Sequence, residues 1–422
     1  MKKNLLTFAS GLMLMLFGTP GLTQVPMFPQ TVVMGQGYAN EVYYQFSTYN
    51  TTTVARDIWD ISFRTTTMSS SILINDGTEA VLWAYPYADT SGWAAIDTFD
   101  LYTWPPLYND PTDWENGAFC RNATGHPDYG WGVYNTVTHV ITGDSIFLMK
   151  LVDGSFKKIW IVEKDSPENT YLFRYANLDG SDSHEITLDC NLYLDKDFIG
   201  FDMQTNLPVD YQPVKESWDI LFTKYMAMHY TGTPYPVTGV LSNPAVYTKR
   251  FYPVDPDFND WQQGSWDSTR SNIGWDWKWF DLANMVYVIE DSMVFYVQDQ
   301  VQDVYRLVFT GFEGMSTGVI DFGIAHVGST TGIGDSRYSN FHVSLYPNPA
   351  SDIINVEIEI INPVNEQMTL TLMDMTGRML RREVLPEGQK KTSWNINWLS
   401  PGAYFMVVST GNDRFVYKFL KQ

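Results

Sequence analysis

Two histidines in the first half of the chain are the first candidates for chemistry. His139 lies in the β-branched run Val137 to Ile141, which the residue pattern predicts as a strand, and His126 lies a short way upstream. On a strand, His139 shares one face with Val137 and Ile141 and points inward. An imidazole can ligate a metal or move a proton. A histidine on an otherwise apolar strand is more often a hydrogen-bonded packing residue, so both interpretations stay open.

A weaker set of candidates lies in the second half, at Met226, Met228 and His229. Thioethers and imidazoles can ligate a transition metal, whereas Met beside Tyr usually fills gaps in a core. Cys120 and Cys190 are the only two cysteines. The sequence therefore allows one disulfide between them in an oxidising compartment, and it excludes a zinc site made of cysteines alone.

The sequence contains no catalytic motif in the structural context that the motif requires. Gly314-Met315-Ser316-Thr317-Gly318 matches the nucleophile-elbow pattern, which needs a strand before it and a helix after it. Val319 to Phe322 instead has the pattern of a further strand. Zinc-protease, phosphate-loop and dinucleotide motifs do not occur in the sequence. We therefore predict no catalytic residue and no metal site, and we expect a protein that is not an enzyme.

The elements that position these residues are predicted to be β-strands. Aromatic residues make up 15% of the chain, and rings suit a pleated, half-buried surface. In Trp59 to Phe63, apolar and polar residues alternate as in a strand with one buried face. The fold class is therefore predicted to be mainly β. The formal net charge of −21 argues against nucleic acid and anionic membranes as partners.

An internal repeat divides the chain. Trp59-Asp60-Ile61-Ser62-Phe63 recurs as Trp218-Asp219-Ile220-Leu221-Phe222, and three further blocks recur in the same order. The predicted domains are two copies of one β domain at 30–190 and 191–328. A small, polar, glycine-containing linker is predicted at 329–340. Residues 341–422, with about seven short strands, are predicted to form an immunoglobulin-like β-sandwich.

Tryptophans crowd the second copy. Trp275, Trp277 and Trp279 alternate, which predicts a stripe on one face of a strand. Such a stripe is either a stacking platform for a sugar or haem, or simply core.

The N-terminus has the features of a secretory signal peptide over residues 1–23. Lys2 and Lys3 precede an apolar run from Leu5 to Phe17 that is too short for a stable membrane anchor. The Sec translocon is therefore an expected partner. No later stretch is apolar enough to cross a bilayer, and no membrane span is predicted.

The last unit resembles the type A C-terminal sorting domain of the Bacteroidetes type IX secretion system. Four blocks carry the match: Tyr346-Pro347-Asn348-Pro349-Ala350, Met373-Asp374-Met375-Thr376-Gly377-Arg378, Leu399-Ser400-Pro401-Gly402-Ala403-Tyr404 and Lys418-Phe419-Leu420-Lys421-Gln422. The resemblance implies the type IX machinery as a partner. It also implies a protein that is secreted or held on the outer-membrane cell surface.

The repeated domain resembles the HmuY family of surface haem-binding proteins. The Trp-Asp-Ile-x-Phe strand of both copies, the Asn-ending strand after it and the final hairpin with its Lys carry the resemblance. Haem is the cofactor that it implies, with His139 and His126 as ligands in the first copy. The matching position in the second copy is expected at Tyr287. Two expected features of this chain depart from the family. The known haem carriers of the family are lipoproteins with one domain, whereas this chain has two copies of the domain and no cysteine after its signal peptide for lipid attachment. The alternative is a surface module that binds glycan or protein without haem. A hydrolase is the less favoured third interpretation, which rests only on the fact that many cargos of this secretion route are hydrolases.

Overall fold

A computed structural model describes residues 27–330, 341–360, 368–375, 378–386, 388–410 and 413–422. The predicted signal peptide, and most of the predicted linker, lie outside these residues. In the described part of the chain no helix is long and apolar enough to cross a membrane. Strands dominate, which confirms the mainly β prediction.

Within residues 27–330, the structure describes twenty-two strands. They are β1 Phe28–Val33, β2 Asn40–Tyr44, β3 Thr51–Ala55, β4 Ile61–Arg64, β5 Ile72–Ile74, β6 Val81–Ala84, β7 Gly132–Tyr134, β8 Val140–Gly143, β9 Phe147–Lys150, β10 Phe156–Asp165, β11 Thr170–Asn177, β12 His184–Asp189, β13 Phe198–Asp202, β14 Leu207–Val209, β15 Ile220–Met228, β16 Pro234–Ser242, β17 Tyr247–Phe251, β18 Lys278–Asp281, β19 Val286–Ile289, β20 Val294–Gln298, β21 Asp303–Phe312 and β22 Val319–Ser329.

Short 3-10 helices connect the strands. They cover Gln36–Tyr38, Asp76–Thr78, Thr90–Ala94, Leu101–Thr103, Ala118–Cys120, Cys190–Tyr193, Lys215–Ser217 and Gly314–Ser316. The last of these holds the serine of the nucleophile-elbow pattern. It is followed by β22, and the Ser316 hydroxyl donates to the carbonyl of Glu313 at 3.1 Å. The turn therefore lacks the helix that an activated serine needs.

The first unit consists of two sheets around one core. Its larger sheet has the order β12-β11-β10-β8-β7, with β9 also pairing with β10 and β6 with β9, and its smaller sheet has the order β14-β13-β4-β5. Phe63 on β4 and Phe173 on β11 meet between the sheets, with ring centroids 5.0 Å apart. The alternation read from Trp59 to Phe63 therefore places Ile61 and Phe63 in the core.

The second unit repeats this plan. One sheet has the order β1-β22-β21-β20-β17, the other has the order β16-β15-β2-β3, and β18 and β19 form a separate hairpin. Phe222 on β15 stacks on Phe322 of β22 at 5.5 Å. The three N-terminal strands are therefore part of the second unit.

The two aspartates of the repeated motif show how the units correspond. The Asp60 carboxylate accepts the backbone N–H of Met203 at 2.8 Å, just after β13. The Asp219 carboxylate accepts that of Phe46 at 2.8 Å, just after β2. The neighbouring strand β13 thus comes after the first copy of the motif along the chain. Its counterpart β2 comes before the second copy.

The observed units therefore differ from the predicted 30–190 and 191–328. Residues 28–55 pair with strands of the second unit, whereas residues 198–209 pair with the first. Sequence similarity identifies the repeated blocks, but it does not show which end of the chain completes each sheet.

The smaller sheet of the first unit packs against the corresponding sheet of the second. Trp218 is fully buried there, with its ring 5.1 Å from Tyr43 and 6.4 Å from Trp114. Trp59 stacks on Tyr211 at 5.0 Å in the same apolar cluster. The repeated tryptophans therefore lie at the junction of the two units.

After the linker, seven strands form a sandwich of two sheets. They are β23 Phe341–Tyr346, β24 Ile353–Ile360, β25 Met368–Asp374, β26 Met379–Val384, β27 Lys391–Asn395, β28 Gly402–Thr410 and β29 Asp413–Lys421. The sheet orders are β23-β24-β27 and β26-β25-β28-β29. Trp394 is fully buried between them.

Candidate functional site

One wall of the candidate site is the loop from Thr65 to Ser71, between β4 and β5. Lys164 on β10 is fully buried and donates to the carbonyls of Thr66, at 2.8 Å, and Ser69. The Trp131 indole N–H donates to the Ser70 carbonyl at 3.1 Å. Burial lowers the pKa of Lys164 to about 8. These bonds satisfy loop carbonyls from inside the protein, so the outer side of the loop is held as a fixed wall.

The second wall is the turn between β7 and β8, which carries His139. The Asn135 carboxamide oxygen accepts the backbone N–H groups of Val137 at 2.8 Å and Thr138 at 3.2 Å. His139 follows with a positive φ of 62°, and β8 begins only at Val140. The predicted strand from Val137 to Ile141 is therefore wrong. Val137 is 85% exposed and does not share a face with Ile141.

The turn nevertheless presents the His139 imidazole to the site. His139 Nδ1 and the Tyr134 hydroxyl share a hydrogen bond of 2.5 Å. This bond orients the ring and leaves Nε2 as the other nitrogen.

His126 reaches the same place from the loop before β7. The Asp128 carboxylate ties this loop by accepting from Thr124 N–H at 2.9 Å and Gly130 N–H at 2.7 Å. The His126 ring lies 5.5 Å from that of Tyr134 and 6.2 Å from that of Tyr129. Tyr134 is therefore the ring that both histidines contact.

These walls enclose an open cavity of about 400 Å³. Its lining combines two imidazoles, two phenols, small hydroxyl groups and three apolar side chains: Thr67, Met68, Ser69, Ser70, His126, Tyr129, Tyr134, His139, Ile141, Ser166 and Pro167. A largely apolar cleft with a few polar groups is typical of a site for an organic ligand. The structure thus brings the two sequence-predicted histidines together.

The hairpin β18–β19 is the counterpart of this turn in the second unit. The Asp281 carboxylate accepts the N–H groups of Ala283 at 2.8 Å and Asn284 at 3.3 Å, as Asn135 does in the first unit. Met285 follows with a φ of 56° and is thus the counterpart of His139. The expected match at Tyr287 therefore lies two residues beyond the observed counterpart, Met285.

Tyr287 instead corresponds to Ile141 on the cavity wall. Its ring lies 4.6 Å from that of Phe312 and 4.9 Å from that of Phe280. A large aromatic ring therefore stands where the first unit has Ile141. The two copies therefore differ in the residues that could hold a ligand.

The weaker candidates lie away from this cavity. Met226 and Met228 lie on β15, and Met228 is 56% exposed. His229 Nδ1 shares a hydrogen bond of 2.9 Å with the Thr231 hydroxyl in the following turn. Neither Met226, Met228 nor His229 lines the 400 Å³ cavity.

The two cysteines are free, so the disulfide that the sequence allows is not formed. Cys120 donates to the Ser70 carbonyl at 3.5 Å, and Cys190 lies 4.0 Å from that of Arg64. Burial raises the pKa of each thiol to about 12. The thiols therefore serve as apolar core groups.

The predicted tryptophan stripe does not form a single surface. Trp277 is fully buried and stacks on Phe309 at 3.8 Å. Trp275 packs against the cluster between the units, and Trp279 is 52% exposed. A sugar platform of all three rings is therefore excluded.

Sequence reasoning missed Met68, Tyr129 and Tyr134 as cavity residues. Met68 is 92% exposed, at the tip of the loop that Lys164 holds. The sequence does carry a signal for the two tyrosines. Tyr129 and Tyr134 lie on either side of Gly130-Trp131, between His126 and His139. Met68 had no such signal, because it reaches the site through a long-range loop contact.

Comparison with known proteins identifies the family of the C-terminal unit. Residues 344–422 match the family model of the secretion system C-terminal sorting domain. The protein carries a type IX secretion sorting domain. It is therefore exported by type IX secretion, either to the cell surface or into the medium. No curated protein matches the chain.

Solved structures give only distant similarity. Latent dimeric PorU from Porphyromonas gingivalis is 10% identical over 67% of this chain and 31% of its own, with a TM-score of 0.17. The extracellular domain of a putative one-component system from B. thetaiotaomicron is 10% identical over 66% of this chain and 48% of its own, with a TM-score of 0.16. The chain spans less than half of either protein, and such TM-scores do not establish a shared fold.

Proposed function

We propose that this exported protein binds haem in the cavity of its first unit, where His139 and His126 would hold the iron. The observation that carries the proposal is that both imidazoles line one cavity, and that their ring centroids lie 5.5 Å (His126) and 6.0 Å (His139) from that of Tyr134. Haem iron takes one or two axial ligands, and histidine is a common one. The resemblance of the repeated strands to the HmuY family supports the same ligand.

The residues of the cavity fit this group chemically. Met68, Ile141 and Pro167 provide apolar surface, and the rings of Tyr129 and Tyr134 provide flat aromatic contact. Bound iron would supply a Lewis-acidic centre for the imidazole nitrogens. The Tyr134 hydroxyl orients His139 by its bond to Nδ1, as an outer-shell group does for a ligating histidine.

The two histidines are also accessible, since both side chains are exposed at the mouth of the cavity. A ligand can therefore reach them without opening the core. For the same reason, their replacement removes ligand atoms and leaves the packing of the unit intact.

Titration of the mature full-length chain with haemin tests the proposal. We expect a saturable Soret shift with a low-spin spectrum, since two nitrogen ligands produce a strong ligand field. His139→Ala should weaken binding at least tenfold, and His126→Ala should leave a high-spin, singly ligated haem. His229→Ala is the matched control and should bind as the wild type does. A flat titration, or equal binding by all four proteins, contradicts the proposal.

A further inference from the structure

The charges around the cavity bear on which part of a ligand it recognises. None of the eleven residues that line it is a lysine or an arginine. The polar groups at the wall are hydroxyls, imidazoles and phenols. These groups can hydrogen-bond, but they cannot neutralise a carboxylate.

Lys164 is a buried cation behind the cavity wall, and its ammonium already has partners. The Lys164 ammonium donates to the Thr66 and Ser69 carbonyls on the inner side of the loop and lies 4.8 Å from the centre of the Tyr171 ring. Its side chain is fully buried, whereas the cavity lies on the outer side of that loop. Lys164 therefore supports the wall without offering a charge to a ligand.

The charged residues that neighbour the lining residues along the chain are acidic. Asp165 directly precedes the lining residue Ser166, and Asp128 lies between the lining residues His126 and Tyr129. The whole chain has a formal net charge of −21. An anionic group buried here would lose water without gaining a counter-ion, which is unfavourable.

We propose that the cavity recognises a metalloporphyrin by its ring and its metal, and leaves the ring's carboxylates in solvent. This inference rests on the proposed function. It defines the ligand class as iron porphyrins regardless of whether their carboxylates are free or esterified. Affinity should depend little on ionic strength, because no ion pair forms across the interface.

The test compares haemin with its dimethyl ester, both added to the mature full-length chain from the same organic stock. We expect the two dissociation constants to agree within about threefold, since an exposed ion pair contributes little and none is available here. The ester should lose affinity in His139→Ala as haemin does. This shared loss shows that both ligands use the same site.

A gain-of-function variant completes the test. Thr67→Lys places a cation at the exposed rim and should tighten binding of haemin but not of the diester. If the diester binds the wild type more than tenfold more weakly than haemin, the inference is overturned while the proposed function stands. If neither porphyrin binds, both are overturned.

Discussion

Asp219 accepts a hydrogen bond from the backbone N–H of Phe46, at 2.8 Å, and so joins the second unit to a strand from the beginning of the chain. Asp60 makes the equivalent bond to Met203 within the first unit. Burial raises the pKa of Asp219 to about 7 and that of Asp60 to about 6. The aspartate of the repeated motif is therefore a buried acceptor that holds its neighbouring strand.

This burial predicts how stability depends on pH. An unfolded aspartate has a pKa of ~3.9, so the folded chain holds the Asp219 proton more tightly than the unfolded chain does. The contribution is full below pH ~4 and is lost as the pH rises to about 7. In Asp219→Asn, the free energy of unfolding should fall less between pH 4.5 and 7.5, by roughly 1–3 kcal/mol.

Urea unfolding at the two pH values measures this difference. Asp144→Asn, at an exposed position, is the control and should keep the wild-type pH dependence. Identical pH dependence in Asp219→Asn and the wild type would show that this carboxyl does not contribute.

Removal of residues 24–35, which include β1, should loosen the second unit alone. Val32 and Met34 are buried in its core, and β1 pairs with β22 along its whole length. Hydrogen exchange should accelerate in β22, while β10 and β11 keep their protection. Deletion of 341–422 is the control and should leave both regions protected. Loss of protection in both units after removal of β1 would contradict this division.

Lys164→Met should weaken haemin binding, by about tenfold if the loop is a positioned outer-shell element. The substitution leaves the carbonyls of Thr66 and Ser69 without their donor, so the wall that carries Met68 loses its fixed position. Haemin titration and exchange of the loop amides measure the two effects. Lys158→Met is a matched control on the same strand, because its ammonium holds the Trp93 and Leu178 carbonyls instead. Equal haemin affinity of Lys164→Met and Lys158→Met would show that the position of the Thr65–Ser71 loop does not affect haemin binding.

Tyr134→Phe should lower haemin affinity, by roughly tenfold, while keeping the aromatic wall. The variant removes the hydroxyl that bonds His139 Nδ1, so the imidazole is no longer oriented. Tyr129→Phe also alters a cavity hydroxyl but leaves that bond in place, and it should bind as the wild type does. If both variants bind equally, the hydroxyl of Tyr134 has no role in orientation.

Cys120 and Cys190 should react slowly with a thiol reagent in the folded protein and promptly after denaturation. Both are buried, and a raised pKa keeps them as unreactive thiols at neutral pH. Counting modified thiols by mass spectrometry, before and after denaturation, checks this. Fewer than two modified thiols after denaturation without reductant would indicate a disulfide.

Local patterns predicted much of this molecule. Alternation around Trp59 identifies a strand, and the order of the repeated blocks identifies two related units. The alternation does not show that both faces of this strand are buried, since Asp60 and Ser62 are buried as well. His126 and His139 line one cavity, because one precedes and the other lies within the β7–β8 hairpin that follows Trp131. These features depend on neighbours along the chain.

The failures have physical causes that lie elsewhere in the fold. Val137 and Thr138 favour a strand, but the Asn135 side chain captures their backbone N–H groups and forms a turn. Residues 28–55 join the second unit through pairings with residues far along the chain, which no local pattern reveals. Trp275, Trp277 and Trp279 take separate positions because residues 275–277 form a bend and turn, and β18 begins only at Lys278.

The placement of β1 to β3 sets an order of folding. Residues 59–209 form a contiguous unit, whose sheets can assemble without either end of the chain. The second unit must bring β2 to β15 and β1 to β22 across the whole first unit, and such long loops close slowly. If the first unit folds beforehand, the flexible loop that must close to pair β2 with β15 becomes shorter. The exported chain should therefore acquire its cavity before its second half is complete.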